Sequence, residues 1–242
     1  MAKEGRQKIL VVGAHPSDPF ANVGGTIAKH VKRGDEVALV TLTYGVEVHT
    51  EYLIGRPESE IKRTVYEKSM EAAALLGVSD YRFLDFGDTP LMATRDNLIE
   101  LGEAIQDSQP DVVISAHIPL RETGLGGDHG EAGRMVERAP SWRQHFGKKP
   151  HRPKAIYFSI TDIATVNHPI YRIPDTFVDI TDTIDQKIEA CMISWNLPPE
   201  DLPRIDNVFR GMGGEHGRSV GVKFAEPFES PWLERRAVDH LE

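Results

Sequence analysis

The segment Gly13 to Gly25, GAHPSDPFANVGG, places a His, a Ser and an Asp within four residues, directly after the apolar run KILVV. A His nitrogen and an Asp oxygen are donors that suit Zn²⁺ or another divalent ion. The same turn contains Gly and precedes a helix-like stretch, so a phosphate at a helix N-terminus is a competing reading. The bland reading is a structural His and a helix-capping Asp. Nucleotide signatures are missing, since G-x-G-x-x-G and G-x-x-x-x-G-K-[ST] are both absent and His15 and Pro16 occupy the tight turn.

Two further polar clusters follow apolar runs. Glu47 and His49 come after EVALVTLT, and His117, Asp128 and His129 come after PDVVISA. In an open α/β sheet, ligands bind beyond the carboxyl ends of the strands. A parallel sheet sets all these ends on one edge, so residues distant in sequence converge there. His15, Asp18 and His129 would then supply three protein ligands and leave a position open for water.

The elements that must do this positioning are legible. Ile9 to Val12 reads as a strand buried on both faces, Gly24 to Lys32 as a helix stopped by Gly34, and Glu36 to Thr43 as the next strand. Helices follow at Glu58 to Leu76 and at Arg95 to Gln106, the latter with Asp96 as candidate N-cap. Strands are expected at Tyr81 to Asp85 and Pro110 to Ala116. Later segments read as a helix from about Glu131, strands at Ala155 to Ser159 and Thr176 to Ile180, and a helix at Asp182 to Trp195. The tail from Pro198, including RGMGGEHGR, reads as irregular. This alternation predicts an α/β fold with a Rossmann-like, doubly wound, mostly parallel sheet in one domain over 1–242. Residues 1–116 form its βα core with the first metal motif, and 117–242 carry the second motif and a loop-rich part.

Composition bounds the function. The chain has 242 residues, 40% hydrophobic and 27% charged, as in an ordinary globular protein. Its formal net charge of −9 argues against nucleic acid as a partner, while local Arg and Lys still allow an anionic small-molecule substrate. Cys191 is the single cysteine, which excludes an internal disulfide and a Cys-rich zinc site. No apolar run approaches the ~18 residues of a membrane span, and the N-terminus does not read as a signal peptide. The expectation is a soluble, cytoplasmic protein with no membrane partner.

The pattern Ala14-His15-Pro16-x-Asp18, followed by Gly24-Gly25, resembles the signature of the PIG-L/LmbE superfamily of zinc-dependent deacetylases. SAHIP at Ser115 to Pro119 and GGDHGEAG at Gly126 to Gly133 resemble its second motif. LLGV, TFVDIT and GRSVGVKFAEPF are further echoes in the same order. The resemblance implies zinc, or another divalent metal, on His15, Asp18 and His129. It implies that Gly24 and Gly25 let a helix pack close to the first strand, and that the protein is a homo-oligomer.

Two departures matter. Ser17 stands where the deacetylases usually have the Asp that serves as general base, and Gly126 stands where they have a second His. Ser has no useful basicity near neutral pH, and amide hydrolysis needs a proton acceptor and a proton donor. The chain is more similar to the 4-oxalomesaconate hydratase branch, which also lacks the first Asp. By that resemblance Glu47 is the base and His168 its acid/base partner. The leading expectation is therefore a zinc-dependent hydratase of an unsaturated oxo-carboxylic acid. The alternatives are a deacetylase with its base moved to Glu47 or Asp128, and a metal-binding protein without catalysis.

The remaining polar residues have assigned candidate roles around this site. His49 could replace Glu47, His117 could line the pocket, and Asp128 could orient a ligand His. Glu215, His216 and Arg218, in a Gly-rich stretch, could close the pocket or make a subunit contact. Arg121, Arg218 and Lys223 are candidate carboxylate binders, the arginines for their forked geometry. Each of these also has a bland reading as a solvated surface group.

Overall fold

The computed structural model describes residues 5–48, 53–116, 127–139, 151–160, 174–229 and 236–240. Alternation in two central strands dictates the layering. β1 (Lys8–Gly13) sends Ile9 and Val11 to one face and Leu10 and Val12 to the other. β4 (Val112–Ala116) likewise divides Val112 and Ile114 from Val113. Strands apolar on both faces require helices on both. On the first face lie α1 (Asp18–Arg33), α2 (Glu58–Leu75), α5 (Ile184–Ser194) and α6 (Leu202–Val220), contributing Ile27, Ala73, Ile188 and Phe209 to one core. On the second lie α3 (Arg95–Ser108) and α4 (Gly127–Arg138), contributing Leu101, Ile105 and Met135 to the other.

Five strands run parallel: β3 (Asp80–Phe83), β2 (Glu36–Thr41), β1, β4 and β5 (Ala155–Ser159). The sheet continues through β7 (Ala225–Glu229), β6 (Thr176–Asp179) and β8 (Arg236–Val238). β7 is antiparallel to both its neighbours, and β6 and β8 are parallel. From β1 the chain goes first to β2 on one side, and β4 later fills the other side. The strand order therefore reverses between β1 and β4, which is where such sheets open a crevice. Among the described residues no helix is long and apolar enough to cross a membrane.

Several element boundaries differ from the sequence reading, and each difference has a physical cause. The tail from Pro198 is not irregular, because Ile205 and Phe209 bury one face of the 19-residue α6. Gly217 is a contact residue, not a turn residue: a Cβ on it would lie 2.6 Å from the Val222 carbonyl oxygen. The N-cap of α3 is Thr94, whose hydroxyl accepts the Asn97 N–H at 3.2 Å, with Asp96 in the first turn. α4 begins at Gly127, four residues before the expected start, and α1 begins at Asp18, six residues early.

α1 is bent at Val23 (φ −136°, ψ 22°). The N–H groups of Gly25 and Thr26, just past the bend, donate to the two carboxylate oxygens of Glu226 at 3.0 and 2.8 Å. Glu226 is 1% exposed and also accepts the Lys187 ammonium at 2.6 Å. A Cβ on Gly25 would sit 2.7 Å from Ile180, and one on Gly24 3.2 Å from Lys187. These two glycines thus admit Ile180 and Lys187, a correction to the expectation that they serve an approach to β1.

Breaking one side of a buried ion pair leaves an uncompensated charge. Glu226→Ala is expected to lower the unfolding free energy by about 3–5 kcal/mol. The double change Lys187→Met with Glu226→Leu should lose less than Glu226→Ala, since it removes both charges. Urea unfolding of the three proteins checks this ordering.

Candidate metal centre and cavity

The turn after β1 is tied down from several sides. The Ala14 carbonyl accepts the Thr43 N–H at 3.1 Å and the Thr43 hydroxyl at 2.9 Å, at the end of β2. The Pro16 carbonyl accepts the buried Tyr81 hydroxyl at 2.6 Å. Within the turn, the Asp18 N–H donates to the His15 carbonyl at 3.1 Å, and the His15 N–H returns a bond to Asp18 Oδ2 at 2.9 Å. This reciprocal closure leaves Asp18 Oδ1 and the His15 ring facing outward from the turn.

His129, in the first turn of α4, meets them. His15 Nδ1 and His129 Nε2 are 3.1 Å apart, His129 Nε2 and Asp18 Oδ1 3.2 Å, and His15 Nδ1 and Asp18 Oδ1 3.9 Å. For metal–ligand bonds of about 2.0–2.1 Å, the edge of a coordination tetrahedron is about 3.3–3.4 Å. The three atoms are spaced for one small divalent cation, and two imidazoles with one carboxylate are a donor set that zinc accepts. Burial pushes the Asp18 carboxyl up, but His129 and His15 outweigh it and hold it at about 2.

Asp128 lies behind His15. Its Oδ2 is 3.2 Å from His15 Nε2, and its oxygens also accept the N–H groups of Thr89 at 2.8 Å and Leu91 at 2.7 Å. Burial raises its carboxyl, but the bonds from His15, Leu91 and Thr89 prevail and bring it down to about 2. An ionised Asp128 takes the proton of His15 on Nε2, so Nδ1 presents its lone pair to the ligand set.

Asp88 is a candidate site residue that the sequence reading missed. It groups with His15 and Asp128, their potential ligand atoms all within 4.8 Å of one another. It also accepts the Glu47 N–H at 2.9 Å. The signal was available, because FGDTP follows the third strand at the same sheet edge as the other clusters.

A cavity of about 570 Å³ opens beside the centre. His15, Pro16 and Ser17 line one part, with Tyr44, Gly45, Leu53, Thr64, Val65 and Lys68 alongside. Ser194 to Leu197, Asp201, Arg204 and Ile205 are the other lining residues among those described. Ser17 is the N-cap residue of α1, yet its side chain makes no capping bond.

The other candidates are placed as follows. Glu47 is exposed, in a single 3₁₀ turn (Val46–Val48) directly after Gly45 of the cavity wall. His216 lies on α6, 6.4 Å from the Phe177 ring and near Lys187, and burial lowers its pKa. Arg218 is exposed in the last turn of α6, and Lys223 lies 5.1 Å from the Phe224 ring. Neither His216, Arg218 nor Lys223 lines the cavity. His49, His117, Arg121 and His168 lie outside the described residues.

Residues 10–139 match the model of the family described as GlcNAc-PI de-N-acetylase, PIG-L. The chain belongs to the PIG-L/LmbE superfamily. It is 30% identical to a diacetylchitobiose deacetylase from Thermococcus kodakarensis, over 91% of this chain and 81% of that one. It is 31% identical to a 4-oxalmesaconate hydratase from Pseudomonas putida, over 91% of this chain and 85% of that one. The crystal structure of GalB, the 4-carboxy-2-hydroxymuconate hydratase from Pseudomonas putida, superposes with a TM-score of 0.77 at 28% identity, covering 98% of this chain and 100% of that one. One of these relatives is a deacetylase by name and the others are hydratases, so membership of the superfamily is compatible with either reaction.

If Asp128 orients His15, Asp128→Asn should weaken zinc binding by about 10–100-fold while leaving one metal per chain at saturation. His129→Ala should abolish stoichiometric zinc. Titration against a chromogenic chelator measures both.

Proposed function

We propose that the chain is a metal-dependent enzyme that activates water, and specifically a hydratase of an unsaturated oxo-carboxylic acid. The observation that carries this reading is Ser17. It lines the cavity next to His15, at the position where amide hydrolysis in the superfamily needs a carboxylate base. Asp128 is a poor substitute, since its oxygens are already engaged by three donors and its carboxyl is held at about 2.

A divalent cation on His15, Asp18 and His129 would supply Lewis acidity, which makes water acidic near neutral pH and polarises a carbonyl or carboxylate. The chain's own groups do the rest. Glu47 takes a proton from water, and His168 returns one to the carbon or enolate oxygen as the double bond saturates. Hydration expels no amine, so the proton from His168 goes to the substrate itself rather than to a leaving group. Ser17 contributes a neutral hydroxyl that can hydrogen-bond substrate without competing for the proton.

Asp88 supports a second reading. It is a carboxylate at the centre, in contact with the backbone of the turn that carries Glu47. A deacetylase or related amidase could use it, or Glu47, as a relocated base.

With zinc-loaded protein, loss of the conjugated absorbance of an unsaturated oxo-acid is the expected result. Release of acetate from N-acetyl sugars, without hydration, would establish the second reading instead. Glu47→Gln is expected to reduce kcat by about 10²–10⁴-fold with zinc content unchanged. Full activity in that variant removes Glu47 from the mechanism.

A further inference from the structure

The cavity carries positive charge that runs against the protein as a whole. The chain has a formal net charge of −9, yet among the described residues the cavity is lined by two cations, Lys68 and Arg204, and one carboxylate, Asp201. Lys68 projects from α2 and Arg204 from the first turn of α6, elements 127 residues apart at their nearest ends, counting from Leu75 to Leu202. Two cations lining one cavity from separate helices are not a run of surface charge along one helix.

Neither cation is consumed by its present partner. Lys68 reaches Glu71 at 2.8 Å, an i,i+3 pair whose carboxylate side chain is 55% exposed, and such pairs contribute little. Arg204 lies 3.4 Å from Asp201 through one terminal nitrogen, and a guanidinium has five N–H donors. Lys62 on the same helix shows the contrast, with Asp85 at 2.9 Å and Glu58 at 3.0 Å. Arg204 also sits at the N-terminal end of α6, the end of a helix that favours an anion.

We propose that Lys68 and Arg204 form the subsite that binds a carboxylate of the substrate and selects anionic over neutral ligands. This rests on the reading of the cavity as the substrate site, with the reacting carbons near His15 and Ser17. The cavity's other polar wall, Thr64, Ser194 and Asn196, then hydrogen-bonds the substrate's remaining oxygens. Of the carboxylate binders expected from sequence, Arg218 and Lys223 are not among the described lining residues, whereas Lys68 and Arg204 are, and Arg121 lies outside the described residues.

The test is calorimetric titration of the zinc-loaded protein with mesaconate, an unsaturated dicarboxylate, and with its neutral dimethyl ester. Wild type should bind mesaconate more tightly than the ester, and more weakly as salt is raised. Lys68→Met and Arg204→Met should each weaken mesaconate about tenfold, leaving ester binding and zinc content unchanged. Arg204→Lys should recover part of the loss, which guards against a folding defect. Equal mesaconate affinity in wild type and both Met variants overturns the proposal, as does wild type that prefers the ester or binds no mesaconate. The hydratase reading is scored separately by turnover. Charge-dependent binding without hydration leaves the subsite standing and removes the hydratase. Hydration with unaltered KM in both Met variants does the reverse.

Discussion

The centre depends on which nitrogen of His15 carries its proton, and Asp128 decides that. Its carboxylate receives three donors, from His15 Nε2, Thr89 and Leu91. One group therefore joins the turn after β1, the segment after β3 and the first turn of α4. Because His129 is the next residue, α4 delivers a candidate ligand and the orienter of another as one rigid unit. The Leu91 and Thr89 bonds also fix the chain next to Asp88. A carboxylate held at about 2 stays ionised, and so stays an acceptor, at any pH well above that value.

This arrangement needs α1 to start early and then bend, and a residue 200 positions away makes that tolerable. A bend at Val23 exposes helix N–H groups inside a core, where unmade hydrogen bonds are costly. Glu226 on β7 satisfies two of them, and Lys187 on α5 balances its charge. Buried ion pairs seldom raise stability by themselves. This one is placed where apolar side chains could not satisfy the backbone, and it ties the antiparallel end of the sheet to the helix that carries Asp18.

The legible part of the sequence was what repeats locally. Ile9 to Val12 and Val112 to Ala116 declare buried strands through continuous apolar runs, and their order fixes the switch point where His15 and His129 meet. The early start of α1 was hidden because His15 and Pro16 read as a tight turn, and Pro19 is tolerated in the first helical turn that follows. α6 was hidden because its glycines look like loop chemistry, although Gly217 is required by the close approach of the Val222 carbonyl. Asp88 escaped because its strand is only four residues long and its companions, Asp128 and Glu47, come from other segments. The cationic wall was also invisible, since Lys68 and Arg204 sit in ordinary amphipathic helices and acquire meaning only by facing one cavity.

The choice of Ser at position 17 has an electrostatic consequence beyond the loss of a base. His15, Asp18 and His129 carry one negative charge between them, so a divalent cation would leave the set at +1. A carboxylate at position 17 would cancel that remaining charge on the cavity side. With Ser17 in place, the cavity end near the metal set is one unit more positive than a deacetylase-like Asp would make it. Lys68 and Arg204 add positive charge along the wall of the same cavity. A neutral sugar gains nothing from that field, whereas a polycarboxylate is attracted to both ends of it. Under the proposed function, a Ser at position 17 would thus both remove a base for amide hydrolysis and tilt ligand preference toward anions, two effects that favour the same class of substrate.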